Sequence, residues 1–168
     1  MPAVDHHPVL IRWLTELKAK FDPITAIEVG VASGICSEAL LRGVPGLHLY
    51  LCDYFKKQGV IEFVQARTAG FNRVLVPGCS WESAKRFPEG FQAALVFIDA
   101  GHGLESVRKD IAAYWPLVAP GGYFTGHDIL SHKNDDHRWG VKTAVEEFSQ
   151  QVGLPYEIVG TCWIIKKP

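Results

Sequence analysis

Residues that could transfer protons or bind a metal ion are concentrated in the second half of the chain. Asp99 and His102 are three residues apart, and His127 is followed directly by Asp128. Four of the seven histidines lie between positions 102 and 137. Histidine titrates near neutral pH and is also a common metal ligand. This concentration of side chains therefore indicates acid–base or metal chemistry.

A second functional pattern lies near the N-terminus, where small residues follow a short apolar run. Glu28, Gly30 and Gly34 form an E-x-G-x-x-x-G pattern that includes Ser33. Small residues let a ligand approach backbone N–H groups closely. The helix predicted after the turn adds unpaired N–H donors and a partial positive charge. The pattern therefore predicts a binding turn for a ligand with an anionic group.

Two features limit which ligand can bind at this turn: the dinucleotide glycine pattern is missing, and an aspartate follows the next predicted strand. The dinucleotide fingerprint G-x-G-x-x-G would require glycine at positions 32 and 35, but this chain has Ala32 and Ile35 there. Asp53 follows the predicted second strand at the separation from Glu28 that is typical of a βαβ unit. An acidic residue there can accept hydrogen bonds from both hydroxyls of a ribose. The alternative for Asp53 is an ordinary solvated aspartate in a turn.

Alternating strand and helix patterns explain how residues far apart in the sequence could meet. We predict an α/β fold made of five β/α units and a terminal hairpin. In such an open sheet, ligands bind beyond the carboxyl ends of the parallel strands. The predicted strands cover 24–29, 47–52, 72–76, 91–98, 123–126, 156–159 and 162–166. The predicted helices cover 8–21, 35–42, 56–70, a segment from residue 104, and 141–152.

The longest pattern in the chain points to a known class of enzymes. The segment VFIDAGHGLESVRKDIAAYWPLVAPGGYFTGHDI, followed by WGVKTAVEEF, resembles small-molecule class I methyltransferases that use S-adenosylmethionine (SAM). With the glycine turn, the resemblance covers most of the chain from about Ala26. It implies one doubly wound, mostly parallel seven-stranded sheet with an antiparallel last strand, in a single domain over 1–168. Helix 8–21 would pack on that domain.

The resemblance also implies how SAM would be held and what the enzyme would do. Methyl transfer to a small-molecule acceptor, most simply a hydroxyl, is the implied activity. The turn after strand 3 would lie along the adenine, although Trp81 has the alternative of packing over the sheet edge. The residues implied in cofactor binding are Glu28, Gly30, Ser33, Gly34, Asp53, Cys79, Ser80, Trp81 and Asp99.

The related macrolide-sugar O-methyltransferases imply roles for the acidic residues and histidines. They imply Asp99, His127 and Asp128 as ligands of a divalent metal ion and His102 as the catalytic base. Asp99 and Asp128 would then be catalytic together with His102. This chain departs from the family by having histidine at 127, which is a poor magnesium ligand but suits zinc or a transition metal. Base catalysis without a metal is the alternative.

Composition limits the partners and the location that we expect. The chain has 168 residues, of which 48% are hydrophobic, and a net charge of −1. It therefore has no overall basic field for nucleic acid or an anionic membrane. The N-terminus lacks a signal-peptide pattern, and the four cysteines are scattered, so we expect a cytoplasmic protein.

Other functions and the cover of the acceptor site stay open. One alternative is a non-catalytic SAM-binding subunit, and a weaker one is a nicotinamide-dependent oxidoreductase. The sequence contains no separate lid domain before the first strand. Helix 8–21, the loop at 129–139, or a second subunit in a homo-oligomer must therefore cover the acceptor.

Overall fold

The computed structural model describes residues 6–56, 59–130 and 139–168. They form one seven-stranded sheet with helices on both faces. The strands are β1 (Thr25–Val29), β2 (His48–Asp53), β3 (Arg73–Pro77), β4 (Ala93–Ile98), β5 (Val118–Gly126), β6 (Glu157–Val159) and β7 (Cys162–Lys166). The α-helices are α1 (His7–Leu17), α2 (Ile35–Gly43), α3 (Val60–Arg67), α4 (Ser80–Ser83), α5 (Leu104–Tyr114) and α6 (Val141–Val152).

The strand order is β3-β2-β1-β4-β5-β7-β6, and β7 is antiparallel to both of its neighbours. The other neighbouring strands pair in parallel. This arrangement confirms the predicted doubly wound sheet and its antiparallel last strand. The chain winds outward from β1 through β2 to β3 and then returns to β4. Between β1 and β4 the order reverses, and this is where such sheets form a ligand crevice.

Three predicted elements differ from the observed ones by more than two residues at one end or both. The helix predicted at 8–21 ends at Leu17. The helix predicted at 56–70 covers Val60–Arg67, and residues 57 and 58 of the predicted range lie outside the described residues. Strand β5 begins at Val118 rather than at residue 123. Its Pro-Gly-Gly segment, predicted as a turn, lies within the strand, where the pairing with β4 shifts register.

Two hydrophobic clusters lie on opposite faces of the sheet and hold the strand ends in place. Every residue of β4 is buried, as expected for a central parallel strand. Helix α1 packs against α2 and contacts β4. Its buried side chains are Leu10, Trp13, Leu14 and Leu17. Within the described ranges, no helix combines the length and apolar character needed to span a membrane.

Candidate functional site

A cavity of about 480 Å³ opens at the carboxyl ends of β1, β2 and β4, where the strand order reverses. This size suits a cofactor or a small-molecule ligand. The residues that line this cavity are Gly30, Ala32, Cys52, Asp53, Tyr54, Ser80, Trp81, Asp99, Ala100, Gly101 and Ser106. Five of the residues predicted to bind the cofactor are therefore in this wall.

Gly30 is required by the close approach of the turn after β1 to the end of β4. Its φ is +92°, a conformation that residues with a side chain rarely adopt. A Cβ atom at this position would lie 2.1 Å from the backbone oxygen of Asp99. The glycine therefore lets the two strand ends meet and brings the turn beside Asp99.

Packing gives Gly34 a second reason for being glycine, beside the one the sequence suggested. A Cβ atom here would lie 3.2 Å from the side chain of Val64 in α3. The close approach of backbone to ligand stays a prediction. Gly34 also starts α2 in the left-handed conformation, with φ +76°. The adjacent Ser33 lines a neighbouring cavity of about 420 Å³. Gly34 thus shapes the turn and its packing.

Asp53 lies at the cavity wall and holds the glycine turn in place. Its Oδ2 accepts hydrogen bonds from the backbone N–H groups of Val31 (2.8 Å) and Ala32 (3.0 Å). Its Oδ1 accepts from Phe55 N at 2.9 Å. A carboxylate has about four lone-pair directions, so these three bonds leave room for about one more donor. The contact with a ribose stays a prediction.

Glu28 lies beneath the turn, away from the cavity wall. Its side chain is 1% exposed, and Oε2 accepts a hydrogen bond from the Ser37 hydroxyl at 2.6 Å. Burial raises the pKa of Glu28 to about 7, although hydrogen bonds from Ser37 and Cys36 act to lower it. The carboxyl group therefore supports the start of α2 from below. Direct cofactor contact by Glu28 stays a prediction.

The turn after β3 forms the far wall of the cavity. Cys79 immediately precedes α4 and is not in the wall, whereas Ser80 and Trp81 are. Helix α5 fixes the position of Ser80, because the Ser80 carbonyl oxygen accepts a hydrogen bond from the Tyr114 hydroxyl at 2.7 Å. The Trp81 ring has the Lys109 ammonium 4.8 Å from its centroid. Trp81 thus lines the cavity and also contacts α5 through Lys109.

Asp110 is a buried acid that sequence reasoning missed. It is 0% exposed, and neither carboxylate oxygen makes a well-formed hydrogen bond within the described ranges. Burial raises the pKa of Asp110 to about 6, and the Ser80 hydroxyl offsets only part of that effect. The available signal was its position in the apolar stripe of α5, beside Val107 and Ile111.

We expect Asp110→Asn to stabilise the protein at neutral pH. The folded-state pKa of about 6 lies above the ordinary value of 3.8. The favourable contribution of Asp110 is therefore complete below pH 3.8 and is lost as pH rises through about 6. The variant should raise the free energy of unfolding at pH 7.5 by about 2 kcal/mol. Urea unfolding at pH 4 and pH 7.5 measures the effect. Exposed Glu89→Gln should change neither value, and equal stability of wild type and variant at both pH values would contradict the expectation.

The predicted acid and histidine residues converge beyond the ends of β4 and β5. His102 Nε2 lies 2.8 Å from Asp128 Oδ2 and 3.6 Å from Asp99 Oδ1. His127 Nδ1 lies 3.4 Å from Asp128 Oδ2 and 3.7 Å from Asp99 Oδ1. The two imidazoles therefore share the same two carboxylates. Asp128 reaches this position from a left-handed backbone conformation with φ +60°.

The shared carboxylates change the proton affinities in this cluster. The Asp128 carboxylate and then the Asp99 carboxylate raise the pKa of His102 to about 9. The same two carboxylates raise the pKa of His127 to about 9. Burial acts to raise the pKa of Asp99, but the neighbouring imidazoles of His102 and His127 lower it below its ordinary value. His102 therefore holds its proton more tightly than an ordinary histidine.

Two aromatic side chains, Trp139 and His6, flank the cluster. Only Trp139 belongs to a segment that the sequence suggested as a cover for the acceptor site. Trp139, from the predicted loop at 129–139, stacks on His102 with ring centroids 4.7 Å apart. The ring centroid of His6, at the start of α1, lies 4.6 Å from the ring centroid of His127. We did not single out His6 from the sequence. Its available signal was the His6-His7 pair directly before Pro8 at the predicted helix start. Residues 131–138 of the predicted loop lie outside the described residues.

A family match over more than half of the chain identifies it as a methyltransferase domain. Residues 27–129 match the family described as "Methyltransferase domain", and the chain belongs to that family. No protein in a search of curated proteins matched the sequence.

Solved structures agree with the fold over almost the whole chain. An O-methyltransferase from Bacillus cereus in complex with SAH has a TM-score of 0.74 and 16% identity, covering 99% of this chain and 84% of that one. TomG from Streptomyces achromogenes, an O-methyltransferase involved in tomaymycin synthesis and solved with SAM, has a TM-score of 0.70 and 16% identity, covering 100% and 84%. A candidate rRNA methylase from Clostridium thermocellum has a TM-score of 0.70 and 13% identity, covering 96% and 95%.

Proposed function

We propose that this chain transfers a methyl group from SAM to a hydroxyl group of a small molecule. The observation that carries the proposal is the position of Asp99. This residue lies in the wall of the 480 Å³ cavity and also within reach of His102 and His127. A ligand in the cavity would therefore adjoin groups able to handle the proton of an acceptor. Similar folds have been solved with SAM and with SAH.

The cavity residues fit SAM by their chemistry. Asp53 offers carboxylate oxygens for ribose hydroxyls, and Trp81 offers a face for the adenine ring. The turn around Gly30 offers backbone groups to the methionine part of the cofactor. When bound, SAM would supply a methyl group activated by its sulfonium. The acceptor oxygen would bond to that methyl carbon as the carbon–sulfur bond breaks, and S-adenosylhomocysteine (SAH) would be the leaving group. Holding the two reactants in line supplies much of the rate enhancement.

His102 is the proposed base that removes the hydroxyl proton. It lies beyond β4, beside Asp99, and its ring is held between Asp128 and the stacked Trp139. A base must lose its own proton before it can accept another, and the neighbouring carboxylates oppose that loss. Asp99 and Asp128 therefore orient the imidazole but also raise the pH at which it becomes active.

A divalent metal ion is the second component that the cluster could hold. Groups of histidine and carboxylate atoms within 4.8 Å of one another occur here, including Asp99, His102 and Asp128. The predicted ligands are Asp99, His127 and Asp128, which leaves His102 for the proton. An ion at these residues would lower the pKa of the acceptor hydroxyl. Its histidine ligand favours zinc or a transition metal over magnesium.

The proposal also covers the domain organisation, the location and the partners of the protein. We propose a single domain over 1–168, a cytoplasmic location and an acceptor other than nucleic acid, supported by the net charge of −1. A homo-oligomer could supply additional cover over the acceptor. The non-catalytic alternative predicts SAM binding without transfer to any hydroxyl compound tested.

Cofactor binding is tested at Asp53. We expect Asp53→Ala to weaken SAM binding by about ten- to a hundredfold, because ribose hydroxyls and the turn lose their acceptor. Calorimetric titration of SAM gives the dissociation constant, and exposed Glu89→Ala should leave it unchanged. Unaltered SAM affinity in folded Asp53→Ala would contradict the assignment.

Repeating the titration with SAH and its 2′-deoxy analogue separates the two functions of Asp53. If Asp53 binds the ribose, the variant should lose more affinity for SAH than for the analogue. Equal losses for the two ligands would mean that Asp53 acts only by holding the turn.

A further inference from the structure

We propose that His6, at the start of α1, is a ligand in a transition-metal site formed with Asp99 and His127. The proposal rests on the metal assignment made above for Asp99 and His127. It adds a second histidine ligand, from an element outside the strand ends. The N-terminal helix would then be part of the functional site rather than only a support for the sheet.

The geometry brings three suitable ligand atoms together. One atom each from His6, Asp99 and His127 lies within 4.8 Å of the others. Ligands about 2.1 Å from one ion are themselves roughly 3–3.5 Å apart in tetrahedral geometry. The distance of 3.7 Å between His127 Nδ1 and Asp99 Oδ1 is already close to that value. Small side-chain rotations would bring the third ligand into the same range.

The second ring nitrogen of His127 has a partner that orients the ring for metal binding. Its Nε2 lies 2.8 Å from the Thr161 hydroxyl, which comes from the turn between β6 and β7. Histidines that bind metals commonly donate their other N–H to a neighbouring oxygen, which fixes the ring and the tautomer. With Nε2–H donated to Thr161, a metal ion at Nδ1 would take the place of the proton that otherwise faces Asp99 and Asp128. The hairpin therefore positions His127 as a ligand.

His6 is held by a well-packed helix and by an aromatic contact. Its carbonyl oxygen accepts the Leu10 N–H at 3.2 Å, and Leu10 is fully buried. The His6 ring lies 5.2 Å from the Phe97 ring of β4. Its Nε2 atom is buried beside the cluster. These contacts place the imidazole at the same edge of the sheet as Asp99 and His127.

Two imidazoles and one carboxylate select the kind of ion. This donor set suits zinc, iron, cobalt or nickel, whereas magnesium prefers oxygen ligands and retains its water. We therefore infer a site that takes divalent transition metals in preference to magnesium. A competing group, His6 with His7 and Cys36, also lies within 4.8 Å, and the experiment must separate the two.

The test measures metal binding to the full chain after removal of bound metal with a chelator. Calorimetric titration with zinc chloride should show binding that magnesium chloride does not match at the same concentration. His6→Ala should weaken zinc binding by at least about tenfold, as should His127→Ala. His48→Ala, a histidine on β2, and Cys36→Ser should bind zinc as wild type does. Cobalt absorption spectra should show a changed coordination environment in His6→Ala.

Three results would overturn the proposal. Wild-type zinc affinity in folded His6→Ala would exclude His6 as a ligand. A loss in Cys36→Ser equal to that in His6→Ala would assign the ion to the competing group, and equal binding of magnesium and zinc would exclude the inferred selectivity. SAM titration of the same samples is a separate readout. Normal SAM binding together with any of these results would refute the metal site while leaving the methyltransferase proposal intact.

Discussion

Replacing His102 by alanine should lower the rate of methyl transfer by about 10²–10⁴, with little change in SAM affinity. The reason is that His102 is the proposed proton acceptor, whereas the cavity wall for SAM contains other residues. Single-turnover assays with saturating SAM measure the transfer rate, and calorimetry measures the cofactor affinity. His48→Ala is the matched control and should keep the wild-type rate. Full activity in folded His102→Ala would leave positioning beside SAM as the main catalytic device.

The pH dependence of the wild-type enzyme gives a second check on the base. Neighbouring carboxylates raise the pKa of His102 to about 9, and only the neutral imidazole accepts a proton. The value of kcat/KM should therefore rise with pH up to about 9 and fall as pH drops below it. A flat profile between pH 6 and 9 would contradict base catalysis by this residue.

Asp128→Asn distinguishes between base catalysis with and without metal. If Asp128 acts only on the His102 proton, the variant should shift the profile toward lower pH, because His102 loses its closest carboxylate. If Asp128 is a metal ligand, the variant should instead match the effect of a chelator, and added metal should restore only the wild type.

Gly30→Ala should destabilise the protein severely and abolish cofactor binding. The new Cβ atom would be 2.1 Å from the Asp99 backbone oxygen, and backbone cannot move aside as a side chain can. The positive φ adds strain of its own. We expect the free energy of unfolding to fall by about 4 kcal/mol or more, near the upper end for single substitutions. Denaturant unfolding measures this loss.

Gly46→Ala is the matched control for Gly30→Ala. Gly46 also has a positive φ, +84°, but a Cβ atom there would have no neighbour within 4 Å. Its substitution should cost only the backbone strain, about 1–2 kcal/mol. The difference between the two variants isolates the close approach of the strand ends. Equal losses would mean that the contact with Asp99 relaxes without cost.

The sequence predicted the sheet well because its strands are short apolar runs separated by amphipathic helices. The helix at Val141–Val152 was predicted with the observed bounds, since Gly140 and Gly153 flank a regular apolar face. The antiparallel last strand came from the family resemblance. The start of β5 was missed because Pro120 and Gly121 favour a turn, whereas pairing with buried β4 extends the strand.

The candidate site was only partly predictable for a similar reason. Residues at strand ends could be placed because parallel strands bring their carboxyl ends to one edge. Contacts that depend on how helices pack could not be placed by that rule. Asp110 faces the core from α5, and His6 reaches the cluster from α1. The three backbone donors that Asp53 accepts also required the actual path of the turn.

The shared position of Asp99 makes the two halves of the site thermodynamically dependent on each other. Its carboxylate lies near His102 and His127 on one side, and the residue lines the cavity on the other. We expect a ligand that fixes Asp99 from one side to change the free energy of binding on the other. By linkage, an ion that strengthens cofactor binding must itself be held more tightly, by the same factor, when the cofactor is present.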